Sequence, residues 1–227
     1  MGLGSAHSGR ILDALAAIVI APACASCGSV LASPLGGPIC EACWHAVPLA
    51  PLSWRTPSTT IAVDSAGAYD GALRNIIHAW KFERRQGLAR PLAELVRERC
   101  PAVLAETEIV VPVPITPWRK WQRGFNQADD PARHLGRPVA RSLSRWRPRP
   151  AQSTLTSSSR WTNVETSIFV PRWRRAALRG RSVLLVDDVV TTGATIEVCA
   201  AALYEAGAAD VRAVTVARTL LKGGAGR

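Results

Sequence analysis

The sequence is short of lysine, methionine and histidine. Of its 28 basic residues only Lys81, Lys120 and Lys222 are lysines, and it has a single methionine. The four histidines (His7, His45, His78 and His134) form no cluster along the chain, and no Ser/His/Asp set or paired acid and base stands out. These absences argue against a histidine-built metal centre and against triad hydrolysis. Apolar runs are short as well. Ile11 to Ala23 is mostly apolar but is broken by Asp13 and Pro22, and a bilayer span needs about 20 residues. Arg10 ahead of that stretch mimics a signal peptide ending near Ala21-Pro22-Ala23-Cys24. Export, however, would place the nearby cysteines in an oxidising compartment. The stretch is therefore read as an apolar helix over residues 11–20, with no membrane span and a cytoplasmic location expected.

What is present points to a folded chain with a charged middle. At 227 residues and 48% apolar, the chain can hold one ordinary domain plus a small module. The net charge is +11, but from Trp118 to Arg181 there are 15 Lys/Arg against 3 Asp/Glu, so the remainder is close to neutral. A basic centre suits phosphate, pyrophosphate or nucleic acid, or it forms a solvated arginine-rich surface.

Six cysteines are present, four of them as Cys24-x2-Cys27 and Cys40-x2-Cys43. Two CxxC pairs separated by 12 residues suit a tetrahedral Zn2+ held by four thiolates. No position is left open, so the role expected of the zinc is structural, supplying folding energy to a stretch too short for its own core. Cys100 and Cys199 stand alone and are expected to be buried.

Further along, residues 48–57 are proline-rich and read as a linker. Ile61 to Tyr69 suggests a strand, and Ala72 to Phe82 a helix with Leu73, Ile76, Ile77 and Trp80 on one face. Leu88 to Arg99 reads as a second helix and Glu108 to Val113 as a buried parallel strand. Pro131 to Leu135 is expected to be a short helix, Pro138 to Leu143 a strand, and residues 167–170 a strand of a covering flap. The clearest unit comes last: a strand over Ser182 to Val186, a loop over Asp187 to Ala194, a helix over Thr195 to Glu205 stopped at Gly207, and a strand over Val211 to Ala217. That is a βαβ unit, which implies a parallel sheet.

The loop of this unit carries the chemistry. An apolar strand delivers Asp187 and Asp188 to the carboxyl edge of the sheet, where ligands of open α/β sheets bind. Thr191, Thr192, Gly193, Ala194 and Thr195 then start a helix, whose free N–H groups and dipole suit a phosphate monoester. Gly193 lets the backbone approach closely. The two carboxylates suit vicinal ribose hydroxyls, directly or beside a hydrated Mg2+. Upstream, Trp118-Arg119-Lys120-Trp121-Gln122-Arg123-Gly124-Phe125-Asn126-Gln127 interleaves cations with aromatics. Arg123 is placed to take a pyrophosphate oxygen pair, and Asn126 and Gln127 to orient ribose or a base. The same interleaving suits stacking of single-stranded nucleic acid.

The strand, acid pair and Thr-rich turn resemble the PRPP-binding signature of type I phosphoribosyltransferases. Pro112-Val113-Pro114 followed by Arg123-Gly124-Phe125-Asn126-Gln127, then Gln152, Leu155, Arg160 and Asn163, with the N-terminal cysteines, resembles the ComF/GntX family. The resemblance covers roughly residues 12–220. It implies a type I phosphoribosyltransferase-like α/β domain over residues 58–220, its parallel sheet flanked by helices with a small hood, behind a zinc module with leading helix over residues 10–50. It further implies PRPP or a nucleotide as ligand, with Mg2+. Pyrophosphate contacts are implied at Pro114, Arg119, Arg123, Asn126, Gln127 and Arg160, with Asp187, Asp188 and Arg123 as the residues of catalysis. A role in DNA uptake, with helicase-like and recombination partners, follows from the same resemblance. The alternative is a non-catalytic protein that binds single-stranded DNA.

Overall fold

A computed structural model of the chain describes residues 23–33, 37–50, 53–58, 61–83, 85–115, 121, 126–145 and 168–220. The expected helix over residues 11–20 lies outside them, as do Arg119, Arg123, Gln152, Leu155, Arg160 and Asn163.

The centre is a five-stranded sheet in the order β1-β2-β7-β6-β3. Its strands are β1 (Ser53–Arg55), β2 (Ala62–Ala68), β3 (Ile109–Pro112), β6 (Ser182–Val190) and β7 (Asp210–Arg218). β2, β7, β6 and β3 run parallel, and β1 pairs antiparallel to β2. Two short strands, β4 (Ser144–Arg145) and β5 (Ile168–Phe169), form a separate antiparallel pair.

The continuous apolar runs follow from burial on both faces. On one face, Val110, Leu184, Val186 and Val214 pack with Leu73, Ile76, Ile77 and Trp80 of α2 (Gly71–Phe82) and with Leu92, Leu95 and Val96 of α3 (Ala89–Arg99). On the other, Val111, Val183, Leu185 and Ala213 pack with Ile196, Cys199 and Leu203 of α6 (Ala194–Glu205). α2 starts where the Asp70 carboxylate accepts from Gly71 N at 2.8 Å, an N-cap that satisfies one orphan donor. The lone cysteines are buried as expected, and burial pushes the Cys100 thiol up to about 12.

Five local features differ from what the sequence leads one to expect. Residues 53–55 of the supposed linker form the edge strand β1, because Trp54 and Arg55 pair with Val63 and Ala62. Pro138 to Leu143 makes only one parallel bridge, Val110 with Val139. Pro138 has no N–H to donate, and Arg141 turns away to pair with Asp129. Asp187 to Val190 is strand rather than loop, since β6 stays in register with β7 out to Val190 and Arg218. A short helix, α4 (Pro101–Ala105), was not expected; Pro101 occupies its first turn, where a missing N–H costs nothing. The helix α5 (Asp129–Ala132) begins two residues earlier than expected and holds Pro131 within its first turn. Also in the small module, α1 (Glu41–His45) starts at Cys40.

The sheet is tightly closed at Gly67. A Cβ there would lie 2.5 Å from Leu73 Cδ2 and 3.0 Å from the Pro48 carbonyl oxygen. Gly67→Ala is expected to lower unfolding free energy by about 1–3 kcal/mol, the usual cost of overpacking, read from urea denaturation midpoints; an unchanged midpoint contradicts this packing.

Candidate functional site

The site builds outward from the end of β6. Asp187 and Asp188 are both half-buried at the carboxyl edge. Asp187 Oδ1 accepts from Asp188 N at 2.8 Å, and Asp188 Oδ1 accepts from Val189 N at 2.5 Å. Asp188 Oδ2 pairs with Lys81 Nζ at 2.8 Å. Burial, followed by the Asp188 charge, pushes the Asp187 carboxyl up to about 7. Loss of hydration disfavours the charged form, and two adjacent carboxylates resist joint ionisation.

Beyond the acids the chain turns at Thr191–Gly193 into α6. Gly193 has φ +84° and is the N-cap of that helix, and the neighbouring Thr192 Oγ1 accepts from Ala194 N at 3.4 Å. Its left-handed conformation favours glycine. Space demands glycine as well, because a Cβ would lie 2.8 Å from Thr56 Cγ2 and 3.0 Å from Trp54 Cη2. Thr191, Thr192 and Ala194 are exposed and Thr195 is half-buried, so the turn is open to solvent although Gly193 is covered from below. The covering comes from β1 and its following turn. Arg218 at the end of β7 stacks 4.2 Å over the Trp54 ring, and Ser58 N donates to Glu197 Oε1 of α6 at 2.8 Å.

At the same sheet edge, where Pro112 of β3 pairs with Val186 of β6, lies a cavity of about 560 Å³ lined among others by Gln86, Pro112, Pro114, Asn126 and Arg145. The charge of Arg145, one of its lining residues, also acts on Asp187. Of the residues expected to contact pyrophosphate or ribose, Pro114 and Asn126 line this cavity. Gln127 is fully buried. Asn126 is held in place by donating from Nδ2 to Val113 O at 3.2 Å and accepting from Ala128 N at 3.1 Å. Behind it, the nearly buried Asp129 is paired with both Arg133 and Arg141. Sequence reasoning missed Lys81, Trp54, Thr56 and Arg218. Lys81 being the first of only three lysines was the one available hint.

The four module cysteines converge. The Sγ atoms of Cys24, Cys27, Cys40 and Cys43 all lie within 4.8 Å of one another, and Cys27 and Cys40 are 3.9 Å apart. A tetrahedral zinc with bonds of about 2.3 Å needs sulfur separations of about 3.8 Å, which this cluster fits. Cys24 Sγ accepts from Ser26 N at 3.4 Å and Cys40 N at 3.3 Å. The Ser29 hydroxyl and N–H lower the Cys27 thiol to about 6, favouring the thiolate a metal requires. The module is not isolated. Arg85 Nη1 donates to Ala23 O at 2.9 Å, and Asn75 Nδ2 of α2 donates to Ser26 O at 3.3 Å.

A parallel sheet ending in paired acids and an open Thr-Gly turn, joined to a four-cysteine cluster, defines a phosphoribosyltransferase-type domain with a metal module. Residues 123–225 match the phosphoribosyl transferase domain family. The DNA utilization protein YhgH of Escherichia coli strain K12 is 32% identical over 162 residues, covering 67% of this chain and 70% of that protein. Competence protein ComFC of Bacillus subtilis is 28% identical, covering 86% of this chain and 84% of that protein. Among solved structures, the glutamine phosphoribosylpyrophosphate amidotransferase of B. subtilis aligns with a TM-score of 0.41 at 20% identity, over 58% of this chain and 26% of that one. The chain belongs to the ComF/GntX family of phosphoribosyltransferase-like proteins.

Two outcomes follow from this geometry. Metal analysis of the purified protein is expected to find about one zinc per chain, with Cys27→Ser losing it and lowering the melting temperature; a metal-free, equally stable wild type contradicts the cluster's role. The second outcome concerns pH. Asp187 has a folded value of about 7 against about 3.9 unfolded. The folded chain therefore keeps a proton that the unfolded chain loses, and stability falls as pH rises through that window. Urea midpoints of Asp187→Asn against wild type are expected to diverge from pH 5 to pH 8, in favour of the variant; parallel profiles contradict the burial of this carboxyl.

Proposed function

We propose that this protein binds the ribose 5-phosphate group of phosphoribosyl pyrophosphate at the β6–α6 turn and serves DNA uptake or use in the cytoplasm. The observation that carries the reading is the open turn at Thr191–Thr195. Separated by two residues from a pair of half-buried carboxylates, it exposes the start of a helix whose N-cap is a glycine. Helix N–H groups and the dipole favour a phosphate dianion there. Ionised Asp188, and Asp187 next to it, accept from the ribose hydroxyls. Mg2+ held beside Asp187 and Asp188 would supply positive charge to the diphosphate. Pro114 and Asn126 border the cavity in which that diphosphate would lie.

The chemistry open to such a complex is pentosyl transfer. The bond from ribose C1 to the diphosphate oxygen breaks, the diphosphate leaves with the electron pair, and an acceptor nucleophile bonds to C1. The protein's part is to position the sugar and to stabilise the departing charge. The DNA context rests on relatives named for DNA utilization and competence. The thiol cluster suits a reducing compartment, and among the described residues no helix is long and apolar enough to cross a membrane.

A separate observation favours a second reading, binding of single-stranded DNA. Trp173 is 80% exposed in the turn Arg172–Ala177, amid Arg172, Arg174, Arg175, Arg179 and Arg181, and Trp121 is 75% exposed. Bases stack on such rings while the guanidinium groups take the backbone.

Isothermal titration with phosphoribosyl pyrophosphate and Mg2+ tests the first reading. Wild type is expected to bind, and Asp187→Asn/Asp188→Asn to bind about tenfold or more weakly; equal binding by the variant removes the acids from the site. Fluorescence anisotropy with an oligothymidine strand tests the second. Binding is expected to weaken steeply with salt, and Trp173→Ala to lose about 1–3 kcal/mol of stacking. A flat salt profile with no loss in the variant rejects that surface.

A further inference from the structure

Lys81 reaches the acid pair from an unexpected quarter. α2 starts just beyond β2, yet its last turn brings Lys81 to Asp188 at the end of β6, with β7 between the two strands in the sheet. The two side chains are 12% and 14% exposed. An ammonium carries three N–H donors. Among the described residues Asp188 is its ion-pair partner, and the Oδ2 contact uses one donor. The remaining N–H donors of so sheltered an ammonium call for water or an anion as acceptors.

The chemistry of the anion follows from the sugar. If the acid pair holds the ribose diol, C2 bears one of the held hydroxyls, and C1 with its substituent is the adjacent carbon. A hydroxyl-to-carboxylate bond is about 2.7 Å, and Lys81 Nζ lies 2.8 Å from the same carboxylate. A cation bonded to the acid that holds the diol therefore stands within reach of the group on C1. A cavity at the same sheet edge is bordered by Gln86, five residues further along the chain, and by Pro112, which pairs with Val186 of β6.

We propose that Lys81 is a diphosphate-binding residue of this site, holding Asp188 with one N–H and directing its other donors to the diphosphate on ribose C1. The inference rests on the ribose phosphate reading and adds to it a residue that separates C1-diphosphate sugars from sugars bearing only the 5-phosphate. Lysine suits this role, since its flexible stem and rotatable donors let one charge serve two oxygens at once.

The test compares two ligands across three variants of the full-length, zinc-loaded protein. Phosphoribosyl pyrophosphate with Mg2+ and ribose 5-phosphate are each titrated into wild type, Lys81→Met, Lys81→Gln and Lys81→Arg. The methionine and glutamine variants are expected to bind the diphosphate at least about tenfold more weakly while holding ribose 5-phosphate within about twofold, and arginine is expected to restore most of the loss. Glutamine keeps a donor to Asp188, which guards against a variant that merely misfolds, and retained ribose 5-phosphate binding reports an intact pocket. Equal loss for both ligands makes Lys81 a scaffold residue and overturns the proposal, as does no loss for either. A wild type that binds neither ligand removes the ribose phosphate reading, and the Lys81 proposal falls with it.

Discussion

Two carboxylates on consecutive residues of a central strand are the constraint around which the rest is arranged. Water solvates such a pair easily, whereas the half-buried end of β6 does not. The chain compensates with what lies nearby. Backbone N–H groups of Asp188 and Val189 serve one oxygen of each acid, Lys81 neutralises Asp188, and Asp187 is pushed towards its neutral form. Evolution could have replaced both acids with valine, as at the two positions that follow, had the strand needed only to pack. Two adjacent acids carried at a cost to stability fit the proposed sugar site better than a strand that only packs.

The same edge explains why the N-terminal part of the chain is attached where it is. Pro48 O accepts from Ala68 N at 3.0 Å, and Arg99 donates to the carbonyls of Val47, Pro48 and Ala66. Those bonds lead the chain from the cysteine cluster into β1. β1 then sets Trp54 and Thr56 against Gly193, so the turn that opens α6 is braced by residues that follow the metal module. On its other side the module binds α2 through Asn75, and α2 carries Lys81 in its last turn. Two separate tethers therefore join the thiol cluster to the acid pair and its turn.

Much of this was legible in the sequence because the signals are local. The apolar run into β6, the Thr-Gly turn and the stop at Gly207 lie within one short stretch, and the two CxxC pairs announce their ligand set by spacing alone. The buried helical faces of α2 and α3 likewise follow from period. What escaped was set by contacts between distant residues. Ser58 meets Glu197 across a separation of 139 residues, and no pattern within residues 48–57 announces a strand whose register is dictated by Val63 and Ala62. Lys81 looked like one more basic residue closing a helix. Its partner lies 107 positions on, and only the crossing of the sheet edge brings the two together. Gln127 misled for the opposite reason, since a polar residue in a basic loop suggests exposure, yet the chain folds it inward.

The most direct test of the central claim is a crystal structure of the protein soaked with ribose 5-phosphate. The phosphorus is expected against the backbone N–H groups of Thr191–Thr195, with the ribose hydroxyls on Asp187 and Asp188. A phosphate bound elsewhere, or a turn left empty at saturating ligand with the acids still turned to Lys81, contradicts the account.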